Sequence, residues 1–159
     1  MKILITYQSK TGFTKKYAEW IGSELNAEIK EIKNINDCDI NDYDLIIHGG
    51  WIMGGMINGF NKIKKLKPKR LIVFAVGYTP KEKVNISQIA NVNNLGDIPF
   101  FYYQGGMNPK KMGFIGRTIV KMVTKEKPIF KDNTNKENIK DLVIMAKKIS
   151  NGVNLSVWN

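Results

Sequence analysis

The chain carries one cysteine and one histidine in 159 residues, and these two scarcities exclude much. With Cys38 alone, neither an intramolecular disulfide nor a cysteine-based metal cluster can form within the chain. With His48 alone and carboxylates scattered, neither a zinc site nor a Ser-His-Asp arrangement has support. His48 closes an apolar run, where a packed, hydrogen-bonded core histidine is the expectation. Glycine is missing where nucleotide motifs need it. Gly12 is the only one between Met1 and Ile21, so neither G-x-x-x-x-G-K-[ST] nor G-x-G-x-x-G opens the chain. No apolar run approaches the roughly 20 residues that span a bilayer. Met1 leads straight into an apolar stretch without a basic flank and cleavage site, so a cytoplasmic protein is expected. Acidic residues are also few, 14 against 25 Lys and Arg, for a net charge of +11. That excess attracts nucleic acid, an anionic membrane or an acidic partner. Nucleic acid ranks last, because the aromatics are not spaced as a stacking platform and the lysines are spread over several helices.

What is present is enough for one core: 43% of the residues are apolar, and a single domain over 1–159 is expected. Apolar runs read as strands at residues 2–7, 27–32, 44–48, 70–76 and 98–103. Between them, helical spacing predicts helices at 14–26, with Tyr17, Ala18, Ile21 and Leu25 inward, and at 61–66 and 86–94. A closing helix is expected at 136–150, with Ile139, Leu142, Val143, Ala146 and Ile149 inward. Near-continuous apolar strands separated by helices predict an α/β fold, a doubly wound five-stranded parallel sheet with helices on both faces. Ligands in such sheets sit beyond the carboxyl ends of the strands.

Three loops leave those ends. The first, Ser9-Lys10-Thr11-Gly12-Phe13-Thr14, has the parts of a phosphate cradle. It offers hydroxyls, a glycine that permits close backbone approach, and a following helix whose first-turn N–H groups face an anion. An ordinary helix cap by Thr11 or Thr14 remains the alternative. The second loop is glycine-rich from Gly49 to Gly59 and includes Gly50, Trp51, Ile52, Met53, Gly54 and Gly55. The third is Val76-Gly77-Tyr78. A phospho-receiver reading fails, because the third strand ends Ile46-Ile47-His48 without an acceptor aspartate.

With these residues in place, the chain resembles the flavodoxin-domain family, in which an S/T-x-T-G-x-T loop after the first strand binds the phosphate of FMN. Here that loop reads S-K-T-G-F-T. The resemblance implies FMN as cofactor and a sheet of order 2-1-3-4-5. It also implies phosphate contacts from the hexapeptide, one flavin wall from Trp51 with its flanking glycines, and the other from Tyr78. No Asp or Glu occurs between His48 and Leu66 or between Leu71 and Pro80. A site so poor in carboxylates disfavours reduced, negatively charged flavin less than an acidic carrier does.

The segment 105–131 is more than such a domain requires. Its predicted helix, 113–125, carries Phe114, Ile115, Ile119, Met122 and Val123. Around it stand Lys110, Lys111, Arg117, Lys121, Lys125, Lys127 and Lys131, opposed by Glu126 alone. A basic amphipathic helix suits an anionic surface, including a membrane met peripherally. In position and character the segment resembles the basic insertion of bacterial flavodoxin-like protoporphyrinogen dehydrogenases, which implies a role on the substrate side of the flavin. Two functions follow. One is an FMN oxidoreductase passing electrons from an organic donor, such as protoporphyrinogen or NAD(P)H, to a quinone-like acceptor. The other is an electron carrier serving a redox partner without turnover of its own. Oligomeric state stays open.

Overall fold

A computed structural model describes residues 1–36, 40–125 and 127–152. Cys38 and Glu126 lie outside the described residues. Five strands run parallel: β1 (Ile3–Gln8), β2 (Glu28–Glu31), β3 (Leu45–Met53), β5 (Leu71–Gly77) and β6 (Phe100–Gln104). Their order across the sheet is β2-β1-β3-β5-β6. A short β4 (Met56–Ile57) turns back antiparallel on β3, so the parallel strands alone follow the expected 2-1-3-4-5 order.

Alternation within each strand explains why the strands read as continuous apolar runs. Ile5, Ile47 and Phe74 face α1 (Phe13–Leu25) and α5 (Lys140–Ser150) in one cluster. Their neighbours Leu4 and Ile46 pack with Ile63 of α2 (Phe60–Lys65) on the opposite face. Val73 joins Phe60 and Ile89 of α3 (Ile86–Val92) there. Both sheet faces are covered, so polar alternation has nowhere to appear. On α1, Tyr17, Ala18 and Ile21 are fully buried while Leu25 is only partly so. Asn26 ends the helix in the left-handed region, and the Ala27 N–H closes on the Gly22 carbonyl at 3.0 Å.

The structure differs from expectation at the second loop. Residues 49–53 continue β3 and 56–57 form β4. The glycine-rich stretch is therefore a strand extension ending in a tight hairpin, and only Gly54 and Gly55, both at positive φ, form its turn. Gly50 sits against the returning chain, where a Cβ would lie 2.3 Å from the Asn58 carbonyl oxygen. The closing helix likewise divides into a 3-10 turn (Lys136–Ile139) followed by α5.

Beyond β6 the chain makes a strap. It leaves through β7 (Gly106–Met107), forms α4 (Phe114–Thr124), and returns through β8 (Lys131–Asp132), which pairs antiparallel with β7. Backbone bonds from Gly105 N–H to the Gly77 carbonyl and from Asn133 N–H to the Gly105 carbonyl tie its feet to the sheet. Lys16 on α1 meets Asp132 at 2.7 Å.

Candidate functional site

The first loop places Gly12 at the N-cap of α1 with φ +100°, a left-handed backbone that side chains rarely adopt. No side chain among the described residues caps this helix. The first intrahelical bond runs from Lys16 N–H to the Gly12 carbonyl, so Phe13, Thr14 and Lys15 have no helical acceptor for their N–H groups. A helix start left in this state favours an anion. The alternative of a cap by Thr11 or Thr14 is not what the geometry has. One detail departs from expectation: the Gly12 N–H donates to the Ser9 hydroxyl oxygen at 3.0 Å. Ser9 therefore shapes the turn, and Gly12 contributes its conformation more than its donor.

A charged group completes this cradle from the strap. A Cβ on Gly12 would meet the Lys111 Nζ at 3.4 Å. The lysine that reaches the loop thus comes from a segment about a hundred residues later in sequence, while the lysines in or beside the loop in sequence, Lys10, Lys15 and Lys16, are engaged elsewhere. Lys15 pairs with Glu19 on its own helix, Lys16 with Asp132, and the Lys10 ammonium lies 5.2 Å from the Trp51 ring centroid.

Next to the cradle opens a cleft of about 510 Å³, within the range of small-molecule and cofactor sites. Its floor and walls come from all three loops: Thr11 and Phe13, then Trp51, Ile52 and Met53, then Val76, Gly77 and Tyr78. Lys10 lines the mouth. The side chains of Ser9 and Thr14 and the glycines Gly50, Gly54 and Gly55 are not among the lining residues. Thr14 is 2% exposed, which leaves its first-turn backbone as its contribution. The strap supplies the remainder of the lining: Gly106 and Met107 at its foot, then Met112, Gly116, Ile119 and Val120 in and before α4. The resemblance implies a place for the strap on the substrate side, and of these residues the sequence reading names Ile119, as one of the helix's apolar positions. The signal available was the 116/119/120 spacing of small and apolar positions, one stripe of the helix.

Each wall has its support. On the Trp51 side, buried His48 accepts from the Thr6 hydroxyl through Nδ1 (2.9 Å) and faces the Asn58 carbonyl through Nε2 (3.1 Å). A carbonyl only accepts, so Nε2 carries a proton, and in the neutral ring Nδ1 is then the acceptor. Burial pushes its pKa down to about 4, although the Asn58 contact pulls the other way. Asn58 then holds Trp51: both its backbone N–H and its side-chain amide donate to the Trp51 carbonyl. On the Tyr78 side, the Tyr102 hydroxyl donates to the Thr79 carbonyl at 2.7 Å. Burial raises that phenol's pKa to about 12. Gln104 donates to the Tyr78 carbonyl. Among the described residues, no carboxylate lines the cleft.

The chain shares 30% identity over 103 residues with the flavodoxin-like domain-containing protein BilS of Clostridioides difficile (strain CD3), covering 60% of this chain and 58% of that protein. The chain thus spans less than two thirds of that relative's length. Rubredoxin oxygen:oxidoreductase from the anaerobe Desulfovibrio gigas superposes with a TM-score of 0.55 at 16% identity, over 95% of this chain and 35% of that one, a likeness of fold. A flavodoxin from the domain Archaea gives a TM-score of 0.49 at 17% identity, over 79% of this chain and 98% of that one. Residues 4–134 match the model of the flavodoxin domain from the first strand through the strap, and the chain belongs to that family.

Proposed function

We propose that the protein holds FMN in this cleft and acts as an oxidoreductase, moving reducing equivalents from an organic donor to a quinone-like acceptor. One observation carries the reading: an uncapped helix start with a lysine over it opens directly into an apolar cleft edged by Trp51 and Tyr78. That is an anion site joined to a slot for a flat aromatic body. When bound, FMN supplies the redox chemistry. The chain's residues bind and orient it. First-turn N–H groups, the Thr11 hydroxyl and the Lys111 ammonium would take the phosphate, while Trp51 and Tyr78 offer aromatic surface to the ring system.

Substrate turnover is favoured by the roof. Met112, Ile119 and Val120 extend the apolar lining past the three loops, space that a carrier exposing its cofactor edge to a partner does not need. Protoporphyrinogen and NAD(P)H are the donor chemistries to try first. The carrier reading has one observation in its favour: among the described lining residues, Lys10 and Tyr78 are the titratable ones, and neither is a carboxylate or imidazole suited to acid-base work.

The absorption spectrum of purified protein, with identification of the released flavin, tests the cofactor. A colourless protein that does not take up added FMN would sink the proposal. Steady-state assays with porphyrinogen, NAD(P)H and quinones, at protein concentrations far below substrate, then separate enzyme from carrier.

A further inference from the structure

We propose that α4 and the return segment that leads into β8 form a docking face for a membrane leaflet rich in anionic lipid. The helix has two apolar sides. One, through Gly116, Ile119 and Val120, lines the cleft. The other points away: Phe114 is 78% exposed and Ile115 and Met122 are each 74% exposed. At 100° per residue these three share one flank of the helix. The return segment adds Ile129 at 58% and Phe130 at 62%. It belongs beside α4, because Lys127 and Ile129 border a small pocket together with Val120 and Tyr78. Bulky apolar side chains this open are costly to leave in water and too close together to be the scattered exposure normal on a surface.

Charge selects the occupant. Arg117 and Lys121 follow the apolar flank of α4, and Lys110, Lys125, Lys127 and Lys131 frame it. Hydrophobic knobs on a convex helix with long cationic side chains beside them match the lipid interface, where acyl chains take the knobs and headgroups take the ammonium groups. A protein partner fits less well. Protein interfaces favour arginine over lysine at their centre, and six of the strap's seven basic residues are lysine. No helix among the described residues is long and apolar enough to cross a membrane; the proposed contact is that of an amphipathic face lying on the leaflet. It would set the cleft mouth, which shares Val120 and Tyr78 with this face, against the leaflet.

The face does not depend on the FMN reading, and its test does not require turnover. Purified full-length protein is sedimented with vesicles of phosphatidylcholine alone and of phosphatidylcholine containing about one third phosphatidylglycerol, at low and high salt. The expected result is co-sedimentation with the anionic vesicles at low salt, release at high salt, and little binding to neutral ones. Changing Phe114, Ile115 and Met122 together to serine should cut partitioning by more than about tenfold, with flavin content unchanged. Arg117→Gln with Lys121→Gln should cost roughly fivefold per residue. Lys65→Gln with Lys69→Gln, remote from the strap in sequence, should lower binding much less. No co-sedimentation with anionic vesicles overturns the proposal, and points to an acidic protein as the partner instead. Equal losses from the two paired charge variants also overturn it, because net charge alone would then explain the binding.

Discussion

Trp51 reaches the cleft from a strand hydrogen-bonded on both sides, whereas Met112 and Ile119 reach it from a strap whose described backbone bonds to the sheet lie at its feet. The first wall rests on β3, bonded on both sides by β1 and β5. A buried relay of Thr6, His48 and Asn58 fixes where its hairpin returns. The strap has a two-residue ribbon, two backbone bonds and the Lys16–Asp132 pair, and the described side chains of α4 are exposed or half-buried. Local opening free energy follows buried contacts. One wall is therefore fixed by its sheet bonds, and the other is expected to open more readily. The cradle lies where they meet, with its backbone on the fixed side and Lys111 from the strap.

The largest effect comes from breaking the fixed side at its strained point. Gly12→Val puts a β-branched residue at φ +100°, where it cannot stay without strain of about 1–3 kcal/mol. Its Cβ also enters the space beside the Lys111 ammonium. The purified variant should retain no FMN while its circular dichroism stays close to wild type. Normal flavin content would show that the cradle is not the anion site.

Next in size is the relay. The folded-state pKa of His48, about 4, lies below the ordinary value near 6.5. Its neutral form is therefore favoured by folding. Stability should be complete above roughly pH 6.5 and fall as pH drops from there toward 4, by about 3 kcal/mol. The ring's hydrogen-bonding neighbours, the Thr6 hydroxyl and the Asn58 carbonyl, carry no charge that would offset the loss. Urea unfolding at pH 7 and pH 4.5 measures it. In His48→Gln the difference between those two pH values should shrink, whatever the variant's absolute stability. An unchanged difference would assign the pH dependence to the carboxylates instead.

How much of this was legible follows the same division. The fixed half depends on short-range signals: near-continuous apolar runs, the S-K-T-G-F-T hexapeptide, and the single histidine that closes one such run. Elements came out within a residue or two of expectation there, apart from the Gly49–Gly59 stretch. Its glycines suggested a loop, yet they serve a strand that must let Asn58 return against Gly50. The adaptable half depends on contacts distant in sequence. Lys111 beside Gly12 and Asp132 beside Lys16 have no local pattern, because a lysine that crosses a cleft reads the same as one in solvent. The basic amphipathic helix was readable, but which of its apolar residues face inward was set by the cleft.

A smaller effect tests the bridge between the halves. Lys111→Met keeps the length of the side chain and removes its charge. FMN affinity should fall roughly five- to tenfold, the scale of one charge-assisted contact at a partly solvated site. Riboflavin, which lacks the phosphate, should bind both proteins equally. Quenching of flavin fluorescence in a titration of apoprotein reads both constants. An equal loss for the two flavins would mean that Lys111 supports the strap's position and does not meet the phosphate.

The smallest effect concerns the strap's second foot, and it separates local from global stability. Lys16 and Asp132 form an ion pair at 2.7 Å with side chains 39% and 32% exposed, so solvent screening limits its worth to less than about 1 kcal/mol. Burial alone would raise the Asp132 pKa, but the Lys16 ammonium and the Thr134 hydroxyl and N–H hold it below the ordinary carboxylate value. What the pair contributes is therefore present at neutral pH and lost as acid protonates the carboxylate. Lys16→Gln removes the pair and leaves the sheet untouched. If the strap is the looser half, its urea midpoint should barely move, while limited proteolysis after the strap's lysines accelerates several-fold, since cleavage follows the population of the locally opened form. Bound FMN should slow that cleavage in wild type, because the Lys111 contact would draw the strap onto the cradle, and should slow it less in Lys111→Met. A proteolysis rate that changes only in step with global stability would show that strap and sheet open together, and the contrast between the two walls would then be one of exposure alone.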